Sequence, residues 1–269
     1  MDTGSGRYAA GKLLASVADG VGLLTFNQPE RRNAISVGMW DGLAEVLDGW
    51  DRDPAVRVAV MTGAGGKAFV SGADISEFGA QRDSAAAQQA YDAQTRRGWA
   101  ALAGFRKPLI ARIEGFCLGG GLGIAMQADL RVAGEDSSFG IPAARLGIVY
   151  GFDATRRLVS LVGQSRARLL LFTGERIDAA EALRIGLVDR VVPAGNLHAA
   201  VEALAQGIAA NAPLSVRGNK LVLDQVLLDP ADRDMGALDA AVAGCFDSAD
   251  YREGRTAFME KRAPVFRGA

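Results

Sequence analysis

Two apolar-rich runs, residues 12–17 and 21–26, flank Asp19-Gly20, and a turn pair of this kind between such runs predicts an opening β-hairpin. A charged loop follows at residues 29–33. Ser36 then precedes Met39, Leu43, Val46, Leu47 and Trp50, whose spacing marks one face of a helix capped by that serine. Residues 56–62 are too β-branched for a helix and end in Gly63-Ala64-Gly65-Gly66, so they read as a buried strand. The pattern next predicts a long polar-faced helix over residues 84–105 and a second buried strand over 109–113. Gly115-Phe116-Cys117-Leu118-Gly119-Gly120-Gly121-Leu122-Gly123 then opens a short apolar helix ending at Ala128, and residues 130–133 make one more short strand. From Asp153 onward the pattern is helical, with a strand-like interruption at 188–192. Strands dominate the first half and helices the second, which predicts an α/β core with a helical C-terminal subdomain.

Residues 1–11 are expected to be a loose tail. Its first residues are small and polar with no apolar run behind them, unlike a signal peptide. No stretch reaches the roughly 18 apolar residues of a membrane span, and two distant cysteines give no disulfide framework. The default expectation is a cytoplasmic protein without a membrane partner.

Composition narrows the chemistry. Of 269 residues 49% are apolar, enough for a sizeable core, and 30 basic against 31 acidic residues create no global field for nucleic acid or an anionic membrane. An anionic ligand must therefore be held locally. There are 34 glycines, above the roughly 7% of an average chain, but one histidine and two cysteines. A zinc site lacks donors, so no metal is expected, and any nucleophile-histidine pair would have to use His198, which reads as a surface helix residue. Backbone amides, carboxylates and phenols remain.

Familiar glycine motifs fail here. Gly66-Lys67 lacks the residues that complete a P-loop, no G-x-G-x-x-G register fits residues 119–126, and Phe69 and Ala73 stand where a nucleophile elbow around Ser71 needs glycines. Three consecutive glycines at a helix start allow close backbone approach and leave N–H groups at the positive end of the helix dipole. They suit either a tight packing turn or a site for a developing oxyanion.

Larger segments are more specific. In order stand Asn27-Gln28-Pro29-Glu30-Arg31-Arg32-Asn33-Ala34, Phe69-Val70-Ser71-Gly72-Ala73-Asp74-Ile75, Lys107-Pro108 before the glycine run, Ala128-Asp129 and Phe139-Gly140-Ile141-Pro142. Leu146-Gly147, Thr173-Gly174-Glu175-Arg176-Ile177 and Ala257-Phe258-Met259-Glu260-Lys261-Arg262 follow. In this order and spacing the chain, from about residue 13 to 266, resembles the crotonase (enoyl-CoA hydratase/isomerase) superfamily. The resemblance implies a ClpP/crotonase-like α/β fold: a core of repeated ββα turns over residues 12–195 and a C-terminal helical trimerisation subdomain over 196–269. It implies a homotrimer or dimer of trimers, an acyl-CoA thioester as small-molecule substrate, and no cofactor beyond the coenzyme A of that substrate. Carried over by position, the oxyanion-hole amides fall on Ala73 and Gly120. Ser71 and Ile75 would line the pantetheine and adenine path. Arg31, Arg32 and Lys261 are candidates for the CoA phosphates, and read equally well as solvated surface charge.

The chain departs from the hydratase pattern where hydration in this family uses two glutamates. Those positions hold Gly123 and Ala143, and each lost acid-base group is worth roughly 10²–10⁴ in rate. Tyr150 matches a position similar to the catalytic tyrosine of the methylmalonyl-CoA decarboxylase branch. A phenol with its ordinary pKa near 10 donates a proton but is a poor base. Asp153 reads as the N-cap of the next helix or as an unusual carboxylate base, and Glu114 as a carboxylate beside the site. The expected enzyme is a lyase that forms an enolate by decarboxylation or C–C cleavage, stabilises it with the Ala73 and Gly120 amides, and uses Tyr150 as proton donor. An isomerase or hydratase using Asp153, or a non-catalytic acyl-CoA-binding homologue, is the alternative. An RNA-binding branch uses a lysine-rich helix, whereas residues 87–106 carry only Arg96, Arg97 and Arg106 as cations, so no nucleic-acid partner is expected.

Overall fold

A computed structural model describes residues 5–74 and 85–269. The opening hairpin forms as predicted: β2 (Leu13–Ala18) and β3 (Val21–Phe26) pair antiparallel around Asp19 and Gly20, which have φ of 48° and 82°. Both central residues are left-handed, as a turn matched to the strand twist requires. Burial alternates along both strands and sends Leu13, Leu24 and Phe26 into the core. The loose tail expected over residues 1–11 does not hold from Ser5 onward. β1 (Ser5–Tyr8) adds antiparallel to β2, and Tyr8 packs on the core. Ladder bonds need only backbone groups, so small polar residues gave no pattern to read.

Helix α1 (Val37–Arg52) starts at Ser36 and buries Met39, Leu43, Val46, Leu47 and Trp50, the face read from spacing, together with Trp40. Three successive turns then each give one strand to each of two sheets before a helix. They are β4 (Val58–Gly63), β5 (Ala68–Val70) and α2 (Ala85–Ala103); β6 (Leu109–Ile113), β7 (Phe116–Leu118) and α3 (Gly120–Gln127); and β8 (Leu130–Gly134), β9 (Ser138–Gly140) and α4 (Phe152–Thr173). After them come β10 (Arg176–Asp178), α5 (Ala179–Arg184) and β11 (Arg190–Val192). Among the described residues the larger sheet runs β1-β2-β3-β4-β6-β8-β11, parallel from β3 onward, and the smaller runs β10-β9-β7-β5, with β9, β7 and β5 parallel. Central β4 is buried at five of its six positions, as a parallel strand covered on both faces must be.

One apolar cluster joins β2, β3 and α1 to the smaller sheet and α3. A second lies on the other face of the larger sheet, where Val58, Val60, Ile110 and Val132 meet Leu197, Val201, Ala205 and Ala209 of α6 (Leu197–Ala209). Helix α6 thus covers the core, although the sequence reading assigned residues 196–269 to a separate subdomain. Helices α7 (Pro213–Val226), α8 (Met235–Asp247) and α9 (Ala249–Glu260) follow it. Lys220 of α7 ties them back, its Nζ donating to the carbonyl of Lys107 and, at 2.9 Å, to Asp129 Oδ2.

Arg131 is the most enclosed cation of the larger sheet. Its guanidinium, 3% exposed, donates to the carbonyls of Leu187 and Ala128 and to Asp189, locking β8 to the segment before β11. Arg131→Met removes the side-chain donor of the Leu187 carbonyl and leaves Ala128 and Asp189 with only the Arg157 guanidinium and the backbone N–H of residue 131, respectively. The expected loss is about 2 kcal/mol, below that of a fully buried pair because Asp189 is partly solvated. A lower urea midpoint with an unchanged denaturant slope is the measurement that checks it.

Candidate active site

The charged loop after β3 is fixed from below by two buried amides. Asn33 Nδ2 donates to the carbonyls of Ala64 and Ala68 at 2.9 and 2.7 Å, its Oδ1 accepts from the Gln28 N–H, and Gln28 Nε2 donates to Ala34. Arg32 and Asn33 take left-handed φ of 52° and 55°. This rigid loop then holds the segment after β5. Ser71 N–H donates to the Arg32 carbonyl, Ile35 N–H to Gly72, and Asp74 N–H to Ile35. The last two bonds make a parallel bridge between Ile35 and Ala73. In such a bridge the central residue turns its own N–H away from the partner, and among the described residues nothing accepts from Ala73 N–H.

Gly120 comes to meet it. A Cβ built on Gly120 would lie 3.8 Å from Ala73 N, while one on Gly121 would lie 2.0 Å from the Val70 carbonyl oxygen. The glycines therefore let α3 start against β5 at backbone distance. Gly119, at φ 53° and ψ −119°, donates its N–H to the Gly140 carbonyl at 2.8 Å and accepts from Gly123 N–H. Gly120 N–H, at the first turn of α3, has no acceptor among the described residues. Two amides without an acceptor among the described residues thus lie close together beside the positive end of a helix dipole, where a pair of donors can stabilise an oxyanion.

Tyr150 and Trp99 occupy the space beside Gly123. A Cβ on Gly123 would stand 3.0 Å from the Tyr150 hydroxyl and 3.1 Å from the Trp99 ring. The Tyr150 O–H points at the Gly119 carbonyl, at 3.4 Å, so the phenol belongs to the same glycine turn. Burial, and secondarily the neighbouring Cys117, push its pKa above the phenol range. Trp99 is held by a tilted stack on Trp40, with ring centroids 4.6 Å apart. Ala143 is buried in the 3₁₀ turn Pro142–Leu146 and offers only a methyl group.

The other candidates divide. Asp153 is exposed and is the second residue of α4, whose N-cap is Gly151, so the N-cap assignment is corrected. The extra helical residue is Phe152, 80% exposed and invisible to an apolar-face argument. Glu114 lies against Gly66, at the turn between β4 and β5. Arg31 pairs with the buried carboxylate of Asp74 at 2.7 Å. Arg32 lies over the Phe116 ring, which Arg176 also approaches, at 5.0 and 5.3 Å. Ser71 Oγ reaches the Arg31 carbonyl, Lys261 is exposed at the left-handed C-cap of α9, and Ile75 lies outside the described residues. His198 is exposed on α6, beside Glu202 and Arg112.

The sequence profile of the enoyl-CoA hydratase/isomerase family matches residues 16–269. The chain belongs to this family. The short-chain-enoyl-CoA hydratase of Clostridium acetobutylicum is 36% identical over 90% of this chain and 92% of its own, and the crotonyl-CoA hydratase of Syntrophomonas wolfei is 37% identical over 91% and 93%. The crystal structure of an enoyl-CoA hydratase/carnithine racemase from Magnetospirillum magneticum superposes with a TM-score of 0.92 at 35% identity, covering 96% of each chain. The crotonase fold implied by the resemblance is therefore the fold of this enoyl-CoA hydratase/isomerase family member. Sequence reasoning missed Asn33, Asp74 and Trp99. Asn33 was legible only as one more polar residue of a charged loop and Asp74 as a carboxylate after Ser71-Gly72-Ala73, and Trp99 carried no signal beyond its place on a helix.

Proposed function

We propose that this chain binds an acyl-CoA thioester, holds its carbonyl between the N–H groups of Ala73 and Gly120, and uses the resulting enolate in decarboxylation or C–C cleavage with Tyr150 as proton donor. The observation that carries the reading is the Gly123 position, where a phenol and an indole fill the space in which a catalytic carboxylate would stand. Loss of carbon dioxide from a malonyl-type thioester breaks the C–C bond and leaves its electron pair in the enolate, so no base is needed to form it. Two amide donors meet the new negative charge on oxygen. The Tyr150 hydroxyl then gives its proton to the α carbon, and solvent restores it. A buried phenol with a raised pKa is fully protonated at neutral pH, as a donor must be.

Hydration is the second reading, supported by the names of the relatives. Isomerisation by Asp153 is disfavoured by its exposure. Assembly as a trimer or dimer of trimers is part of the proposal and is supported by exposed apolar side chains on the last helices, among them Leu223, Val226, Phe246 and Phe258. The test incubates the protein with crotonyl-CoA and with methylmalonyl- and malonyl-CoA. Turnover of a malonyl-type thioester with negligible crotonyl-CoA hydration is expected. Rapid crotonyl-CoA hydration would overturn the assignment, and thermal stabilisation by CoA thioesters without any product would identify a binding scaffold.

A further inference from the structure

We infer that the Arg31–Asp74 ion pair is a positioning device for the Ala73 amide, and that Arg31 acts through Asp74 on the thioester carbonyl, leaving the CoA phosphates to other cations. The inference rests on the oxyanion reading of Ala73. Asp74 directly follows Ala73; its side chain is 6% exposed and its Oδ2 accepts from Arg31 Nη1 at 2.7 Å. A carboxylate so enclosed needs a cationic partner to remain where it is. The backbone on either side of Ala73 is tied to the same loop, through Ile35 N–H to the Gly72 carbonyl at 2.8 Å and Asp74 N–H to the Ile35 carbonyl at 2.9 Å. Ser71 Oγ adds a longer contact to the carbonyl of Arg31 itself.

Arg31 thus joins the loop on which it sits to the residue directly after Ala73, while the Ala73 N–H itself lies in the Gly72–Ala73 peptide held by Ile35. Backbone bonds alone fix the spacing of the two segments. The ion pair anchors the far side of the Ala73 Cα, the hinge about which the plane carrying the Ala73 N–H would otherwise turn. A donor must sit 2.7–3.1 Å from the developing oxyanion to be effective, and a misplacement of about 1 Å can cost roughly 10²-fold in rate. That sensitivity is why a pair outside the reacting atoms can matter.

The test reads the carbonyl itself, with butyryl-CoA, a saturated thioester, as the probe. Isotope-edited infrared spectra of the bound carbonyl are compared for the native protein, Arg31→Met and Arg31→Lys, with dissociation constants for butyryl-CoA and free CoA measured in parallel. In the native protein the carbonyl band should move to lower wavenumber on binding. Arg31→Met should lose most of that movement while binding both ligands within about tenfold of the native affinity, and Arg31→Lys should recover much of it. A purely structural role would lower stability without separating polarisation from affinity. An undiminished band shift in Arg31→Met overturns the inference. So does an affinity loss of more than about tenfold for free CoA with the band shift intact, which would place Arg31 on the phosphates. If the native protein binds butyryl-CoA and the band does not move, the oxyanion reading fails and this inference fails with it. Should Arg31→Met not fold, Asp74→Asn, which keeps the shape and removes the charge, is read in the same way.

Discussion

Gly120→Ala should abolish most turnover, by roughly 10²–10³-fold, while leaving the protein at least as stable as before. The two effects separate because of where the new methyl group goes. It meets Ala73 N at 3.8 Å, an ordinary contact, and no other described residue within 4 Å, so the described fold has room for it. An oxygen bonded to both amides needs part of the same space. Alanine is also the better helix former, which adds up to about 1 kcal/mol at this first position of α3. Melting temperature and turnover on the accepted thioester are the paired measurements. A Gly120→Ala protein with native rates would show that the substrate carbonyl sits elsewhere.

Tyr150→Phe is the second large effect, expected to slow turnover by roughly 10²-fold or more if the phenol is the general acid. The substitution removes one oxygen, and with it only a long contact to the Gly119 carbonyl, so little change in stability is expected. The pH dependence sharpens the test. Burial raises the folded-state pKa, so the donor remains protonated through the range in which a free phenol near 10 would ionise. The native rate should therefore show no decline from loss of this proton up to about pH 10. The linkage has the same sign: the neutral phenol is favoured by folding, so its contribution to stability is complete below the unfolded pKa and is lost as pH rises through the folded one. A fall in rate near neutral pH that disappears in Tyr150→Phe would contradict this assignment.

Much of the first half was legible because its signals are local. Asp19-Gly20 supplies left-handed φ where a hairpin demands it, and the Met39 to Trp50 spacing records one buried face of α1. The smaller sheet was illegible from pattern, since its strands, such as Ala68–Val70 and Phe116–Leu118, are three residues long and give no period to count. Only the resemblance to the crotonase superfamily implied them. Tyr150 could be named from its position, but its meeting with Trp99 over Gly123 joins residues from three separate elements. Asp74 was hidden for a different reason. A buried carboxylate and an exposed one look alike in one dimension, and its partner lies 43 residues earlier in the chain.

Ala73 and Gly120 follow neighbouring strands, β5 and β7, which run parallel and pair Val70 with Cys117. The ladder, about 4.8 Å between strands in any sheet, brings the two segments side by side, and the bridge to Ile35 and the Arg31–Asp74 pair hold Ala73 beyond the end of its strand. On the proposed reading, the electrophilic half of the site thus rests mainly on backbone, and substitutions at Gly123, Ala143 or Tyr150 should change the reaction without moving the two amides.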